Sequence, residues 1–377
     1  MNAPKVRNFT QRESKSETKE RKYFDYSLLL IVIFLVCFGL IMLYSTSAYN
    51  ATLKFNNPTF YLKQQIKATL IGIVGMAVIA RIDYRIWAKL SPLAYIGAIG
   101  LSTLVLFIGD EYNGSKRWLS IGPLSFQPAE FAKIAIIIFV AYLISKAPKS
   151  ISKFSTMVKI ILIVAPIVGL VAVNNLSSAI IILGIAVIMI FVSSPKYAQF
   201  MALGLIGVGG MAGFLLFASY RVERLKVWLS PEDYDKGFQT LQGLYAIGSG
   251  GLFGKGLGES MQKLGFVPEA QNDMIFSIIC EELGLFGAIC VIILFVLLIW
   301  RFMIISTNAS DLFGSLIVVG IMGHIAIQVI LNIAVVTNSI PNTGVTLPFI
   351  SYGGTSICFL LAEMGLALSV SRGIRFD

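Results

Sequence analysis

The chain is short of charge. Of its 377 residues only 13% are charged, against 56% hydrophobic, and the mean hydropathy is +0.80. A soluble fold of this length could not bury that much apolar surface, so the composition argues for a polytopic membrane protein. Acidic residues are the scarcer sign, 20 against 30 basic, for a net charge of +10. The basic residues sit in an N-terminal tail and in short connections between apolar runs, not on one aromatic-studded face, which fits membrane topology and argues against nucleic acid as a partner. Histidine occurs once, and the four cysteines (Cys37, Cys280, Cys290, Cys358) lie inside apolar runs without CxxC spacing. They read as core residues, not as a disulfide or metal site. No small-residue cleavage site follows the first apolar run, which is therefore expected to remain as a signal anchor.

What the chain has is a succession of apolar runs. Residues 1–22 form a polar, basic tail expected to be disordered, and 23–377 a single all-α transmembrane domain. Ten spans are expected, at roughly 26–44, 65–81, 86–108, 128–145, 154–173, 178–194, 197–218, 274–300, 312–336 and 355–371, each near the length a bilayer requires. Basic residues fall in alternate connections: Arg81, Arg85 and Lys89; Lys146, Lys149 and Lys153; Lys196; Arg301; Arg372 and Arg375. Segments 174–177 and 337–354 carry no charge. Both termini are accordingly expected in the cytoplasm, with one large extracytoplasmic loop, 219–272, between spans 7 and 8 and beside the outer loop 109–127.

That large loop holds the chemistry. Phe238, Leu241, Leu244, Tyr245 and Ile247 give a short helix one apolar face, suited to a membrane interface. Six glycines between Gly248 and Gly258 then make a tight irregular loop. It is no Walker A motif, because Ser249 stands where glycine is needed and Gly256 where serine or threonine is needed, so no nucleotide is expected. Asp273, at the mouth of the next span, is placed to accept a proton from a substrate hydroxyl, and equally to cap the following helix with a lowered pKa. Glu281 and Glu282 lie two turns inside an apolar helix, where an unpaired carboxylate costs roughly 3 kcal/mol, so a partner is expected. Glu363 and His324 read as satisfied polar core contacts. In the 109–127 loop, Lys116, Arg117 and Trp118 join two cations to an aromatic ring, a combination that either holds a phosphate and a sugar or is simply solvated. Glu130 and Lys133, just after Pro128, have the spacing of a structural pair at a helix start. Pro341, Pro348, Gly353 and Gly354 break helicity at membrane depth, which requires burial in protein or a cavity.

Three segments carry a resemblance: NGSKRWLSIGPLSFQPAEFAK, AIGSGGLFGKGLGESMQKLGFVPEAQNDMIFSIICEELG and IPNTGVTLPFISYGGTS. In this order they resemble the SEDS family (shape, elongation, division and sporulation; the FtsW, RodA and SpoVE types), with the last segment nearer the FtsW cell-division type. The resemblance implies an inverting peptidoglycan glycosyltransferase that polymerises lipid II, working with a class B penicillin-binding protein and other divisome or elongasome proteins. It implies Asp273 as the catalytic residue and Lys116, Arg117 and Trp118 as substrate-binding. Gln242, Ser249, Lys255, Gln262, Lys263, Glu269 and Ser351 are the further polar groups of these segments expected to meet substrate, and Glu130, Lys133, Glu281, Glu282 and Pro348 their support. A divalent cation, Mg2+ or Mn2+, is expected beside the pyrophosphate. The sequence departs from the family pattern at Gln271-Asn272, where His-Thr is common, and at Asn174-Asn175-Leu176-Ser177-Ser178, where Pro-Asp-Leu-Gly-Thr is. A lipid II flippase running past Glu281, Glu282, Glu363 and Pro348, or a non-catalytic scaffold, are the alternatives.

Overall fold

The computed structural model describes residues 23–374 apart from 113–114, 122–123, 197–199, 201–203 and 205–225. The basic tail 1–22 and nearly all of the expected span 197–218 lie outside the described residues. The helices are α1 (Tyr26–Phe55), α2 (Phe60–Ile79), α3 (Arg85–Ile108), α4 (Pro128–Lys146), α5 (Phe154–Asn174), α6 (Leu176–Ser193), α7 (Phe238–Gly250), α8 (Ile275–Thr307), α9 (Leu312–Val336) and α10 (Gly354–Ser371). Nine of these, all but α7, are long and apolar enough to cross a membrane among the described residues.

Most boundaries fall within a few residues of the expected spans. The first does not. Continuing 11 residues beyond Tyr44, α1 runs to Phe55 with its polar residues partnered in two ways: Thr46 Oγ1 donates to the Met42 carbonyl and Thr52 Oγ1 to that of Ala48, each one turn back, while Ser45 Oγ donates to Glu282 across the bundle. A second difference is the 109–127 segment. Where the sequence suggests a loop, it forms an antiparallel sheet of β1 (Asp110–Tyr112), β2 (Ser115–Ile121) and β3 (Leu124–Phe126). Glu111 pairs across from Lys116, and Leu119 from Phe126.

The centre of the bundle is α4, α9 and α10, whose most apolar stretches are 72%, 67% and 67% buried, against 22% for α2 and α3. Their neighbours approach closely. Between α2 and α10, a Cβ on Gly365 would lie 2.8 Å from the Met76 carbonyl, so only glycine allows this backbone contact.

The two ends of the bundle differ in chemistry. At one end Tyr84 Oη donates to Asp311 at 2.7 Å, Arg85 Nε to the same carboxylate at 2.9 Å, Arg301 Nη2 to Asp25 at 2.5 Å and Arg372 Nη1 to the Ala80 carbonyl at 3.0 Å. The opposite end carries the sheet, α7, the glycine-rich segment and the irregular stretch 338–353. That stretch is sunk into the protein: Val345, Leu347, Phe349 and Ile350 are each no more than 5% exposed, and Pro348 is buried between them. Non-helical backbone inside a membrane bundle is tolerated on this condition.

Candidate active site

Asp273 sits where the chain turns into α8. Neither it nor Asn272 caps that helix: the N-cap is Met274, with no side-chain bond to a helix amide. The capping role expected from position is therefore absent, and so is its lowered pKa. The Asp273 carboxylate is half-buried, with Gln239 Nε2 of α7 at 3.4 Å from Oδ1. Burial, reinforced by the charge of Glu269, pushes its pKa up from 3.8 to about 6, against the opposing hydrogen bonds from its own amide and from Gln239. Such a carboxylate is ionised at neutral pH yet a better proton acceptor than an ordinary aspartate.

Two other segments converge here. Gly344, at φ +67, presents bare backbone to Asp273: a Cβ there would lie 3.8 Å from Oδ2. Asn342 Nδ2 donates to Gln239 Oε1 at 3.3 Å, tying this loop to α7. Beyond it, Ser177 Oγ at the start of α6 donates to the Thr343 carbonyl at 2.5 Å.

The same α5–α6 corner organises the sheet. Asn174 Nδ2 donates to the Lys116 carbonyl at 2.8 Å and Arg117 Nε to the Asn174 carbonyl at 2.7 Å, while Asn175 Oδ1 caps α6 at Ser178 N. Lys116, Arg117, Gln127, Asn174 and Asn175 line a small open cleft with apolar walls that include Val105 and Val171. A cationic mouth on an apolar slot suits an amphiphile with an anionic head. Trp118 is half-buried in the same strand. The amides Gln239, Asn332 and Asn342 were not singled out by the sequence, in which an isolated amide gives no sign of its partner, and Asn174 and Asn175 stood out there only as a departure from the family pattern.

The remaining expected site residues gather around two carboxylates. Lys255 Nζ lies 2.7 Å from Glu281 Oε1, and the other Glu281 oxygen accepts from Ser260 Oγ and, at 3.3 Å, from the Gln262 amide. Ser249 Oγ is 3.4 Å from Glu281 Oε1. Lys263 Nζ lies 2.7 Å from Glu282 Oε1, 2.6 Å from the Gly258 carbonyl and 2.9 Å from Ser45 Oγ of α1. The two glutamates thus have the partners their burial requires, and both lysines, expected to meet substrate, are ion-paired to them. Gln242 is half-buried on α7 without joining either cluster, and Glu269 accepts from Asn272 Nδ2. Ser351 Oγ accepts from the Leu347 amide at 2.8 Å, closing the turn around Pro348. Glu130 and Lys133 form an ion pair of 2.8 Å inside the bundle.

The glycine-rich segment is a clip on a broken helix. At Gly284 (φ 66, ψ −169) the α8 backbone leaves the helical conformation. The bonds lost there are replaced by the segment: Lys255 and Gly256 amides donate to the Glu281 and Glu282 carbonyls, and Leu285 and Phe286 amides to those of Gly251 and Leu252, all within 3.0 Å. A Cβ on Gly284 would lie 2.3 Å from Gly254 N in a left-handed conformation. Gly284→Ala is therefore expected to cost at least about 2 kcal/mol of stability and expose 251–263 to protease. Gly248→Ala, whose Cβ meets nothing within 4 Å, is the control and should leave the thermal midpoint unchanged or raised.

Among the described residues no three His, Cys, Asp or Glu side chains converge to hold a metal ion. The described residues therefore offer no cluster that would hold a resident, fully protein-ligated cation.

Comparison with known proteins matches this chain to a family model of cell cycle proteins, FtsW, RodA and SpoVE, over residues 26–375. Stage V sporulation protein E of Bacillus subtilis is 41% identical over 93% of this chain and 98% of its own length. A protein of Geobacter sp. (strain M18) named "Probable peptidoglycan glycosyltransferase FtsW" is 35% identical over 93% of this chain and 98% of its own. Among solved structures, a chain of a peptidoglycan synthase complex, described as coordinating polymerization and crosslinking, superposes with a TM-score of 0.79 at 27% identity, covering 94% of this chain and 99% of that one. The rod shape determining protein RodA of Thermus thermophilus gives 0.67 at 26% identity, over 94% and 98%. With nearly its whole membrane bundle matched, this chain belongs to the FtsW, RodA and SpoVE family of cell cycle proteins.

Proposed function

We propose that the chain is a peptidoglycan glycosyltransferase that polymerises lipid II at the outer face of the bacterial cytoplasmic membrane. The observation that carries the proposal is Asp273, a half-buried carboxylate with a pKa near 6, facing bare backbone at Gly344 on the bundle end that also bears the cation-lined cleft. Asp273 takes the proton from the acceptor GlcNAc 4-hydroxyl as that oxygen attacks the donor MurNAc anomeric carbon from the face opposite the pyrophosphate. The anomeric C–O bond breaks, the configuration inverts, and undecaprenyl pyrophosphate leaves. Lys116 and Arg117 counter its charge. A divalent cation belongs to this proposal as a companion of the pyrophosphate, in the manner of Mg2+ carried by phosphates, and no step depends on it here.

Orientation follows from the basic connections, which put the Tyr84–Asp311 end and both termini in the cytoplasm and Asp273 outside. A class B penicillin-binding protein is the proposed partner, supported by the relative that forms part of a synthase complex. The test is to give labelled lipid II to the purified chain in detergent and in vesicles. Glycan strands in detergent are expected; transfer of label across the vesicle membrane without strands would identify a flippase instead.

A further inference from the structure

We propose that Asn332 is a positioning residue for Asp273, bracing its backbone against the loop that faces the carboxylate. His324, Gln328 and Asn332 follow at four-residue intervals on α9 and so share one helix face. All are buried, at 1%, 2% and 0% exposure. Asn332 Nδ2 donates both to the Asp273 carbonyl at 2.8 Å and to the Val345 carbonyl at 2.7 Å. One turn down, Gln328 Nε2 donates to the Thr346 carbonyl at 3.0 Å. One further turn down, His324 Nε2 faces Gln328 Oε1 at 2.8 Å, and its Nδ1 faces Glu363 at 2.9 Å. Lys133, ion-paired to Glu130, approaches the same Gln328 oxygen at 3.5 Å. Successive rungs of one rigid helix thus hold residues 345 and 346, and the top rung reaches across to the residue proposed as base.

The brace matters because little else fixes that carboxylate. Asp273 caps nothing, its contact with Gln239 is long, and the turn before it passes through Glu269 in a left-handed conformation (φ 51). Packing alone at position 332 would be served by leucine, which has the same branched shape and number of heavy atoms. What leucine cannot supply is the pair of N–H donors. Among the described residues the Asn332 side-chain oxygen itself has no hydrogen-bond partner, so the amide's donations account for its presence in an apolar helix.

The inference rests on the reading of Asp273 as base, and its test separates the two. With the chain bound to its transpeptidase partner and supplied with lipid II, Asn332→Leu is expected to lower kcat roughly 10- to 100-fold, as small misplacements of a reacting group do. KM should stay within about threefold, since substrate binding is untouched. Amide exchange at residues 343–347 should quicken. Asn332→Ser, which keeps one donor, should fall between Leu and wild type, and decides the matter if the Leu variant does not fold. The proposal is overturned if folded variants keep wild-type kcat, if the loss lies wholly in KM or in the folded fraction, or if exchange at 343–347 is unchanged. Absence of strands from wild type would sink the polymerase reading alone, because the exchange measurement still decides the brace.

Discussion

The Asp273→Asn variant is expected to lose roughly 10²- to 10⁴-fold of its polymerisation rate, the range for removing a general base, while remaining folded. For wild type the rate should fall as pH drops through about 6 and level off above neutrality, because the base must be ionised and burial raises its pKa to about 6. Stability runs the other way. The folded-state pKa lies above the unfolded value, so the stability this group contributes is fully present below pH 3.8 and is lost as pH rises through about 6. Asp273→Asn, a mimic of the protonated form, should therefore match wild type only below pH 3.8 and be the more stable of the two at pH 8, measured as thermal midpoints in detergent. A variant both inactive and destabilised at pH 8 would mean that the carboxylate holds the fold together.

The Glu282→Leu variant should lose about 3–5 kcal/mol of stability, the cost of stranding a buried partner charge. Lys263 is left with its side chain, only 8% exposed in the intact pair, facing Ser45 and the Gly258 carbonyl. The double variant Lys263→Met/Glu282→Leu should recover most of the loss, since a buried ion pair replaced by apolar groups is close to neutral. It should also polymerise lipid II at near wild-type rate if the pair serves to anchor the glycine clip. A stable but inactive double variant would return Lys263 and Glu282 to the substrate path.

The spans were legible because an apolar run of bilayer length has few other uses, and α9 begins and ends at the expected Leu312 and Val336. Asp273 was legible by position, as a carboxylate between a glycine-rich segment and a span. Its environment was not, because burial and the nearness of Glu269 are tertiary facts, and they turned an expected low pKa into a raised one. Pairing across long stretches was also hidden. Lys263 and Glu282 are 19 residues apart, and the loop between them follows no period from which their contact could be read. The sheet at 110–126 escaped notice because its outer strands have only three residues each and the seven of β2, SKRWLSI, do not alternate polar with apolar. The break at Gly284 carries no sequence signal, since a single glycine is tolerated in an apolar helix; the amides of Lys255 and Gly256 on the Glu281 and Glu282 carbonyls explain it. Asn332 gave no signal at all, since one amide among apolar residues does not announce which carbonyls it will reach.

The most direct measurement is glycan-strand formation from lipid II by wild type and Asp273→Ala side by side, each bound to a transpeptidase whose nucleophilic serine is blocked. Strands from wild type and none from the variant are the result expected if Asp273 is the base of a polymerase. Strands of equal amount from both, or none from wild type with the partner demonstrably bound, would contradict it.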